Sequence, residues 1–246
     1  GGHISTSFSC VEIMISIFFG GFVNINKKNF KNLNRNTFTL SKGHAETIMY
    51  SLLSMRGLIS KKDLFDSYQC GNHYLGGHVD HNVPGIELTT GSLGHGLGFA
   101  AGLSLANKMD KKKFTDYVLI GDAECTEGSI WEAALFASFH NLKNLVTIID
   151  RNGIGSLDHV KNFTKLDPLK KKWESFGWKV QEINGHSFKD IFKALKNCKN
   201  SNKPNLIIAN TIKGKGLSIM ENDPIWHVKK LDDKEEIKIA KKEIGI

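Results

Sequence analysis

Four short apolar runs constrain this 246-residue chain more than any other feature: residues 117–122 (YVLIGD), 144–150 (NLVTIID), 178–183 (WKVQEI) and 205–211 (NLIIANT). An apolar run that ends at a carboxylate, as at Asp122, suits a strand buried within a parallel sheet. Helical stretches lie between the runs, one from about 127 to 140 and one at DIFKALKN, residues 190–197. Strands alternating with helices build βαβ units. The expected fold is therefore α/β, an open, mostly parallel sheet flanked by helices. With no internal repeat and no clear linker, residues 1–246 form one expected domain.

The remaining segments add helices around that sheet. Residues 7–20 read as one apolar helix ended by Gly20 and Gly21. SKGHAETIMYSLLSMRG reads as a loop feeding a helix that stops at Gly57, and Ser60 caps another, with Asp63 three residues on. Residues 69–98 form a long glycine- and histidine-dense loop, a length usually kept for function. LGHGLGFAAGLSLANKM is helical, and Gly94, Gly98, Ala101 and Gly102 leave one side nearly bare, as close packing against another helix requires. The tail DDKEEIKIAKKEIGI is a charged helix.

Charge and cysteine narrow the function. The net charge is +8, with lysine clusters at 111–113 and 170–172. No aromatic-interleaved basic motif accompanies them, so they read as a solvated surface whose field suits a phosphorylated substrate, not nucleic acid. Cys10, Cys70, Cys125 and Cys198 are scattered, with no CxxC pair, which argues against a zinc site or a disulfide framework and fits a reducing cytosol. VEIMISIFFGGFV is too short to span a membrane and carries Glu12. No signal peptide is visible, and because the chain begins with Gly rather than Met, residues are expected to precede it.

Two patterns carry chemistry. Histidine follows glycine at His3, His44, His78 and His95, where glycine permits tight turns and imidazole moves protons near neutral pH; a shared pocket is expected. Asp122 and Asn152 each stand at the carboxyl end of a predicted strand, the edge at which open α/β sheets bind ligands. If the two strands are close, a carboxylate and an amide oxygen make an all-oxygen pair suited to Mg²⁺, and the helix starting near Glu127 favours an anion such as a diphosphate. The plainer alternative is that Asp122 caps a helix and Asn152 turns a loop.

GDAECTEGSIWEA, followed about thirty residues on by DRNG, resembles the thiamine diphosphate motif of transketolases. LSKGHA, GGHVD, PGIELTTGSLGHGLGFAAGL, WESFGW, INGH and TIKGKG resemble other segments of that family, in family order, over nearly the whole chain. The resemblance is to the N-terminal, diphosphate-binding half, or to the N-terminal subunit of a split transketolase. It implies thiamine diphosphate with Mg²⁺, or another divalent cation such as Ca²⁺ or Mn²⁺. Asp122, Asn152 and the carbonyl of Ile154 would hold the metal. His3, His44 and His227 would line the diphosphate and substrate channel, and His78 would contact substrate hydroxyls or assist proton transfer. Gly91, Leu93, Gly121 and Ala123 would border the cofactor, and Glu127 would couple the two halves across their interface. The implied reaction transfers a two-carbon ketol unit from a ketose phosphate to an aldose phosphate. The glutamate that activates the pyrimidine lies in the other half, so a C-terminal partner and a homo- or hetero-oligomer are implied, in the cytoplasm. Other thiamine diphosphate enzymes, of the deoxyxylulose-phosphate synthase or 2-oxo acid dehydrogenase type, and a non-catalytic cofactor-binding scaffold remain as alternatives.

Several positions depart from the family pattern. Ala123 stands where glycine is usual, His95 replaces a glutamine, GGHIS lacks a proline, and NTF at 36–38 replaces DRF, which removes an expected charge pair. Trp131 and Trp173 are read as packing residues.

Overall fold

Five parallel strands form one sheet in the order β1-β2-β3-β5-β4: β1 (Thr37–Leu40), β2 (Asp116–Gly121), β3 (Leu145–Arg151), β4 (Lys179–Asn184) and β5 (Asn205–Asn210). This computed structural model describes residues 3–32, 34–67, 74–156 and 158–246. The four runs are β2 to β5; β2, β3 and β5 lack polar alternation because these central strands are covered on both faces, whereas β4, at the sheet edge, keeps Lys179, Gln181 and Glu182 among its apolar residues.

Ten helices among the described residues surround the sheet: α1 (Ile4–Phe8), α2 (Val11–Phe19), α3 (Glu46–Met55), α4 (Lys61–Asp66), α5 (Gly96–Met109), α6 (Gly128–Phe139), α7 (Val160–Phe163), α8 (Leu169–Ser175), α9 (Phe188–Cys198) and α10 (Lys234–Ile244). Tyr117, Leu119, Val146, Ile148 and Ile207 pack on one face with Phe18 of α2, Met49 of α3 and Leu195 of α9. Val118, Ile120, Ile149, Leu206 and Ile208 pack on the other with Leu97 of α5, Ala134 of α6 and Trp173 of α8. A smaller third cluster, Leu217, Met220, Trp226 and Ala240, seats α10 against Ile4 and Phe8 of α1.

Sequence signals set several boundaries. Ser60 accepts from the Asp63 amide, Ser187 from Asp190, and Asp233 from Glu235 and Glu236, each satisfying donors that a helix start leaves free. Asp116, buried at the start of β2, accepts from Thr37 Oγ1 (2.7 Å), Ser104 Oγ (2.8 Å) and Asn107 Nδ2, and so fixes α5 to the amino edge of the sheet.

Four expectations need correction. The apolar stretch at 7–20 is two helices, α1 and α2, because Ser9 and Cys10 turn the chain where the Ser9 hydroxyl bonds the Thr6 carbonyl and the Asp150 carboxylate. β1, TFTL, is a strand that the sequence pattern does not signal; it pairs with β2 from Thr37↔Asp116 to Leu40↔Leu119. A Cβ at Gly98 or Gly102 would meet nothing within 4 Å, so among the described residues no helix packs on these two glycines, while Gly94 and Ala101 are buried. The glycines that do permit close approach are Gly94, at φ +91° against Glu127 and Ser129, and Gly96, where a Cβ would strike Ser41. Finally, the departure at NTF does not empty that corner of charge: Arg35 pairs with Glu87 at 2.6 Å, and Asn36 bonds the Phe22 carbonyl at 2.7 Å. Within the long loop, residues 74–95 contain no helix or strand; its earlier part, with Cys70, lies outside the described residues.

Trp173 is fully buried, with its ring 5.3 Å from Trp131 and 5.0 Å from Trp178. Trp173→Ala is expected to lower unfolding free energy by about 3–5 kcal/mol, the cost of deleting a buried aromatic. Urea denaturation should show this as a lower midpoint at unchanged slope.

Candidate functional site

The carboxyl ends of four adjacent strands converge on one cavity. Lys42 follows β1, Asp122 follows β2, Asp150 and Asn152 end and follow β3, and Lys213 follows β5. The centre of this edge is the Asp150 carboxylate, which is wholly buried. It pairs with the buried Lys42 ammonium and accepts from Thr211 Oγ1, from Ser9 Oγ at 2.5 Å and from Asn152 Nδ2 at 3.2 Å. Burial alone would push Asp150 up, but Lys42 and the hydroxyl donors hold it below the ordinary carboxylate range. Lys42 moves the other way: burial opposes its charge, and Asp150 more than restores it.

Above this pair stands Asp122, 2% exposed. One carboxylate oxygen accepts from the Ala123 amide at 2.8 Å and the other from the Gly153 amide at 2.7 Å. Gly153 is bonded to Asn152, so the carboxylate lies within about 5 Å of the Asn152 α-carbon. The Asn152 side chain has its orientation set by its partners: Nδ2 donates to Asp150, and Oδ1 accepts from the Ile154 amide at 3.1 Å. Burial pushes Asp122 up to about 6, with the Asp150 charge adding to it; the backbone donors and Lys42 offset only part. Asp122 is thus a carboxylate short of a cation. Lys213 is its counterpart: buried, beside Lys42, it is pushed down to about 8, an ammonium short of an anion.

Three further carboxyl and imidazole features shape the walls. Glu124 is buried and accepts from Ser41 Oγ (2.5 Å), Gly94 N (2.9 Å) and Gly121 N (3.0 Å), tying the loop before α5 to the end of β2. His3 gathers His44, His78 and His227 around it at ring separations of 5.5, 6.2 and 5.3 Å. Burial, reinforced by the nearby lysines and imidazoles, lowers His44 to about 2 and His227 to about 3, so both are neutral at pH 7. Partners also fix tautomers. His3 Nδ1 lies 2.6 Å from the His227 carbonyl and must donate, so in the neutral ring Nε2 is the acceptor. His227 Nδ1 accepts from Lys213 Nζ at 2.7 Å, leaving the proton on Nε2. The cavity therefore holds one imidazole able to take a proton and one able to give it.

Eleven of the thirteen residues that the sequence assigns to a pocket, His95 included, line this cavity of about 200 Å³: His3, His44, His78, Gly91, Leu93, Gly121, Asp122, Ala123, Asn152, Ile154 and His227. Glu127 does not; it is exposed at the start of α6, its Cβ against Gly94. Glu124, three residues earlier, lines the cavity instead. His95 lies outside as well, exposed before α5, so three of the four glycine–histidine pairs share the pocket. Lys42, Lys213, Thr6 and Ser156 also line it, beyond the residues that the sequence points to. The usable signal for the two lysines is their position just after a strand, inside LSKGHA and TIKGKG.

Known proteins share this arrangement of sequence and fold. The family model "Transketolase, thiamine diphosphate binding domain" matches residues 1–246. The chain is 40% identical over 245 residues to one of the subunits of an apulose-4-phosphate transketolase from Actinobacillus succinogenes, covering 99% of this chain and 88% of that protein. It is 37% identical to a 6-deoxy-6-sulfo-D-fructose transketolase subunit of Clostridium sp., covering 94% and 84%. Human transketolase is 36% identical over 94% of this chain, which spans 36% of the human protein. The crystal structure of Campylobacter jejuni transketolase superposes with a TM-score of 0.90 at 30% identity, covering 99% of this chain and 41% of that one. This chain belongs to the transketolase family, as its thiamine diphosphate binding domain.

Proposed function

We propose that this chain holds the diphosphate end of thiamine diphosphate through Mg²⁺, or a similar divalent cation, and with a second polypeptide transfers a two-carbon ketol unit between phosphorylated sugars. The observation that carries this is the pairing of two opposite electrostatic deficits in one cavity, Asp122 lacking a cation and Lys213 lacking an anion. A metal diphosphate supplies both. Among the described residues no three His, Cys, Asp or Glu side chains gather as a metal cluster. The ion would draw instead on Asp122, the Asn152 amide oxygen, the Ile154 carbonyl and oxygens of the ligand, a hard donor set that fits Mg²⁺. Lys42, already committed to Asp150, would add field to the diphosphate, and Lys213 a direct contact.

Bound thiamine diphosphate supplies a nucleophilic carbon and an electron sink for the two-carbon unit. The chain's own residues orient the sugar and move protons. His3, through Nε2, would accept from a substrate hydroxyl, and His227, protonated at Nε2, would donate. His78, held by Tyr50 donating to its carbonyl at 2.8 Å, borders Gly91 closely enough that a Cβ there would come within 3.0 Å of the ring. The Ala123 methyl, half-buried at the cavity, narrows the approach of the diphosphate relative to glycine.

A partner would complete the site. The cavity of about 200 Å³ falls short of the roughly 300–1,000 Å³ of a complete small-molecule pocket. The outer side of α6 exposes Leu135, Phe136 and Phe139, the last 80% exposed, and the neighbouring helix α5 exposes Gly98 and Gly102. Such an apolar surface suits burial against a second polypeptide, and Glu127 stands at its margin. The names of the relatives from multi-subunit enzymes make apulose 4-phosphate and 6-deoxy-6-sulfo-D-fructose substrate candidates beside the pentose phosphates.

Calorimetry should detect Mg²⁺-dependent binding of thiamine diphosphate that Asp122→Ala abolishes. Affinity should weaken as pH falls through about 6, because a proton then competes with the metal for the Asp122 carboxylate, approaching about tenfold per pH unit below it. Metal-independent binding, untouched by that variant, would refute the assignment.

Lys213→Met should raise the dissociation constant about tenfold to hundredfold, the worth of one charged hydrogen bond, without lowering thermal stability of the unliganded chain. An unchanged affinity would remove Lys213 from the diphosphate site.

Ketol transfer should require co-purification with the partner polypeptide, and Phe136→Asp with Phe139→Asp should prevent that assembly while the isolated chain keeps its melting temperature. Turnover by the chain alone would contradict the two-part enzyme.

A further inference from the structure

A second cavity lies at the opposite, amino edge of the sheet, about 810 Å³ in volume. Beneath it lie the core side chains Phe22, Tyr117, Val146, Leu195 and Cys198, each 5% exposed or less. Its rim is basic. Lys108, in the last turn of α5, and Lys111, Lys112, Lys113, Lys143 and Lys199, in the connections following α5, α6 and α9, reach it.

Lysines after helices are ordinarily explained by the helix dipole, so the charges must be weighed. The C-terminal ends of α5, α6 and α9 each equal roughly half a negative charge. Asp110, which pairs with Lys112 at 2.9 Å, and the buried Asp116 add at most one each. Six lysines exceed that total by about two to three charges, so capping does not account for them. Lys108 is engaged, donating to the His140 carbonyl at 2.6 Å, and Lys199 lies over the Phe22 ring. Lys111, Lys113 and Lys143 are exposed on the rim and carry the surplus. Lys111 also holds a left-handed backbone, φ 56°, where glycine or asparagine is usual after a helix; Asn141, φ 48°, occupies the matching place across the rim.

We infer that this amino-edge cavity is a second ligand site, separate from the thiamine diphosphate site, that binds a nucleoside diphosphate. The surplus charge matches a diphosphate, and the volume lies within the range of small-molecule pockets. Phe114, half-buried between Lys113 and Thr115, lines the cavity as the ring on which a base would stack, and the exposed Asn200 and Asn202 would offer amides to sugar and base edges. Inorganic anions would satisfy the rim alone; the Phe114 ring favours a ligand with a flat apolar part.

The test is ADP binding to the full chain, by calorimetry, after saturation with Mg²⁺ and thiamine diphosphate, whose own affinity is measured first on the same sample. One ADP per chain is expected. The combined variant Lys111→Glu, Lys113→Glu, Lys143→Glu should weaken it about tenfold or more, since three charges are reversed within a Debye length of the phosphates. Reversing three exposed lysines elsewhere, Lys171→Glu, Lys189→Glu and Lys238→Glu, should leave it within about twofold. Phe114→Leu, which keeps every charge, should weaken ADP about fivefold and leave pyrophosphate unaffected. No ADP binding, equal losses in the two triple variants, or pyrophosphate binding as tight as ADP would each overturn the site. So would single-stranded RNA that displaces ADP and binds with a strong salt dependence, because the rim would then be part of a nucleic-acid track.

Discussion

The buried pair of Lys42 and Asp150 is the interaction on which the carboxyl edge depends. Two charges this deep lose several kcal/mol of hydration each, and their attraction restores it only when the remaining lone pairs are used. Here they are. Asp150 collects Ser9, Thr211 and Asn152 in addition to Lys42, so one carboxylate fixes the turn between α1 and α2, the end of β1, the end of β3 and the segment leaving β5. An apolar pair could fill the same volume, but it could not bring four chain segments to one point with defined hydrogen-bond directions. What the pair contributes is placement rather than net stability.

That placement leaves two neighbours unsatisfied. Asp122 is held by backbone amides that give it direction without enough charge, and Lys213 sits beside Lys42 and donates to a neutral imidazole. Each shift follows from burial without enough opposite charge beside it. The same logic explains the depressed histidines: burial first, then the lysines around them, keep the rings neutral. The fold thus fixes the charges of this edge by where it buries them.

Legibility in the sequence follows burial. β2, β3 and β5 are readable because both faces are covered, leaving uninterrupted apolar runs. β1 is not, since four residues alternating Thr with Phe and Leu carry little signal without β2 beside them. The break between α1 and α2 depends on Ser9 reaching Asp150, 141 residues away, which no local pattern encodes. Asp122 and Asn152 are legible as polar residues ending apolar strands. Lys42 and Lys213 escape a reading by pattern because lysine is by default a surface residue, and only the assembled edge shows them buried, each 1% exposed. Glu124 yields to Glu127 in the sequence for a related reason: a carboxylate inside a short 3₁₀ turn looks like any first-turn acid until Ser41 and two amides close on it.

The sheet thus uses lysine in two physically different ways at its two edges. At the carboxyl edge Lys42 and Lys213 are enclosed, so each must find its counter-charge in a fixed geometry, and changing either alters binding one contact at a time. At the amino edge Lys111, Lys113 and Lys143 stay hydrated, need no partner to fold, and act additively through a field that salt weakens. Parallel topology forces this asymmetry. Helices running back along parallel strands bring their N-termini toward the carboxyl edge and their C-termini toward the amino edge. An anion at the first is already favoured by helix ends, so few, buried lysines suffice. An anion at the second must overcome three helix C-termini, which is why the surplus of exposed charge there has to be large before it can hold a ligand at all.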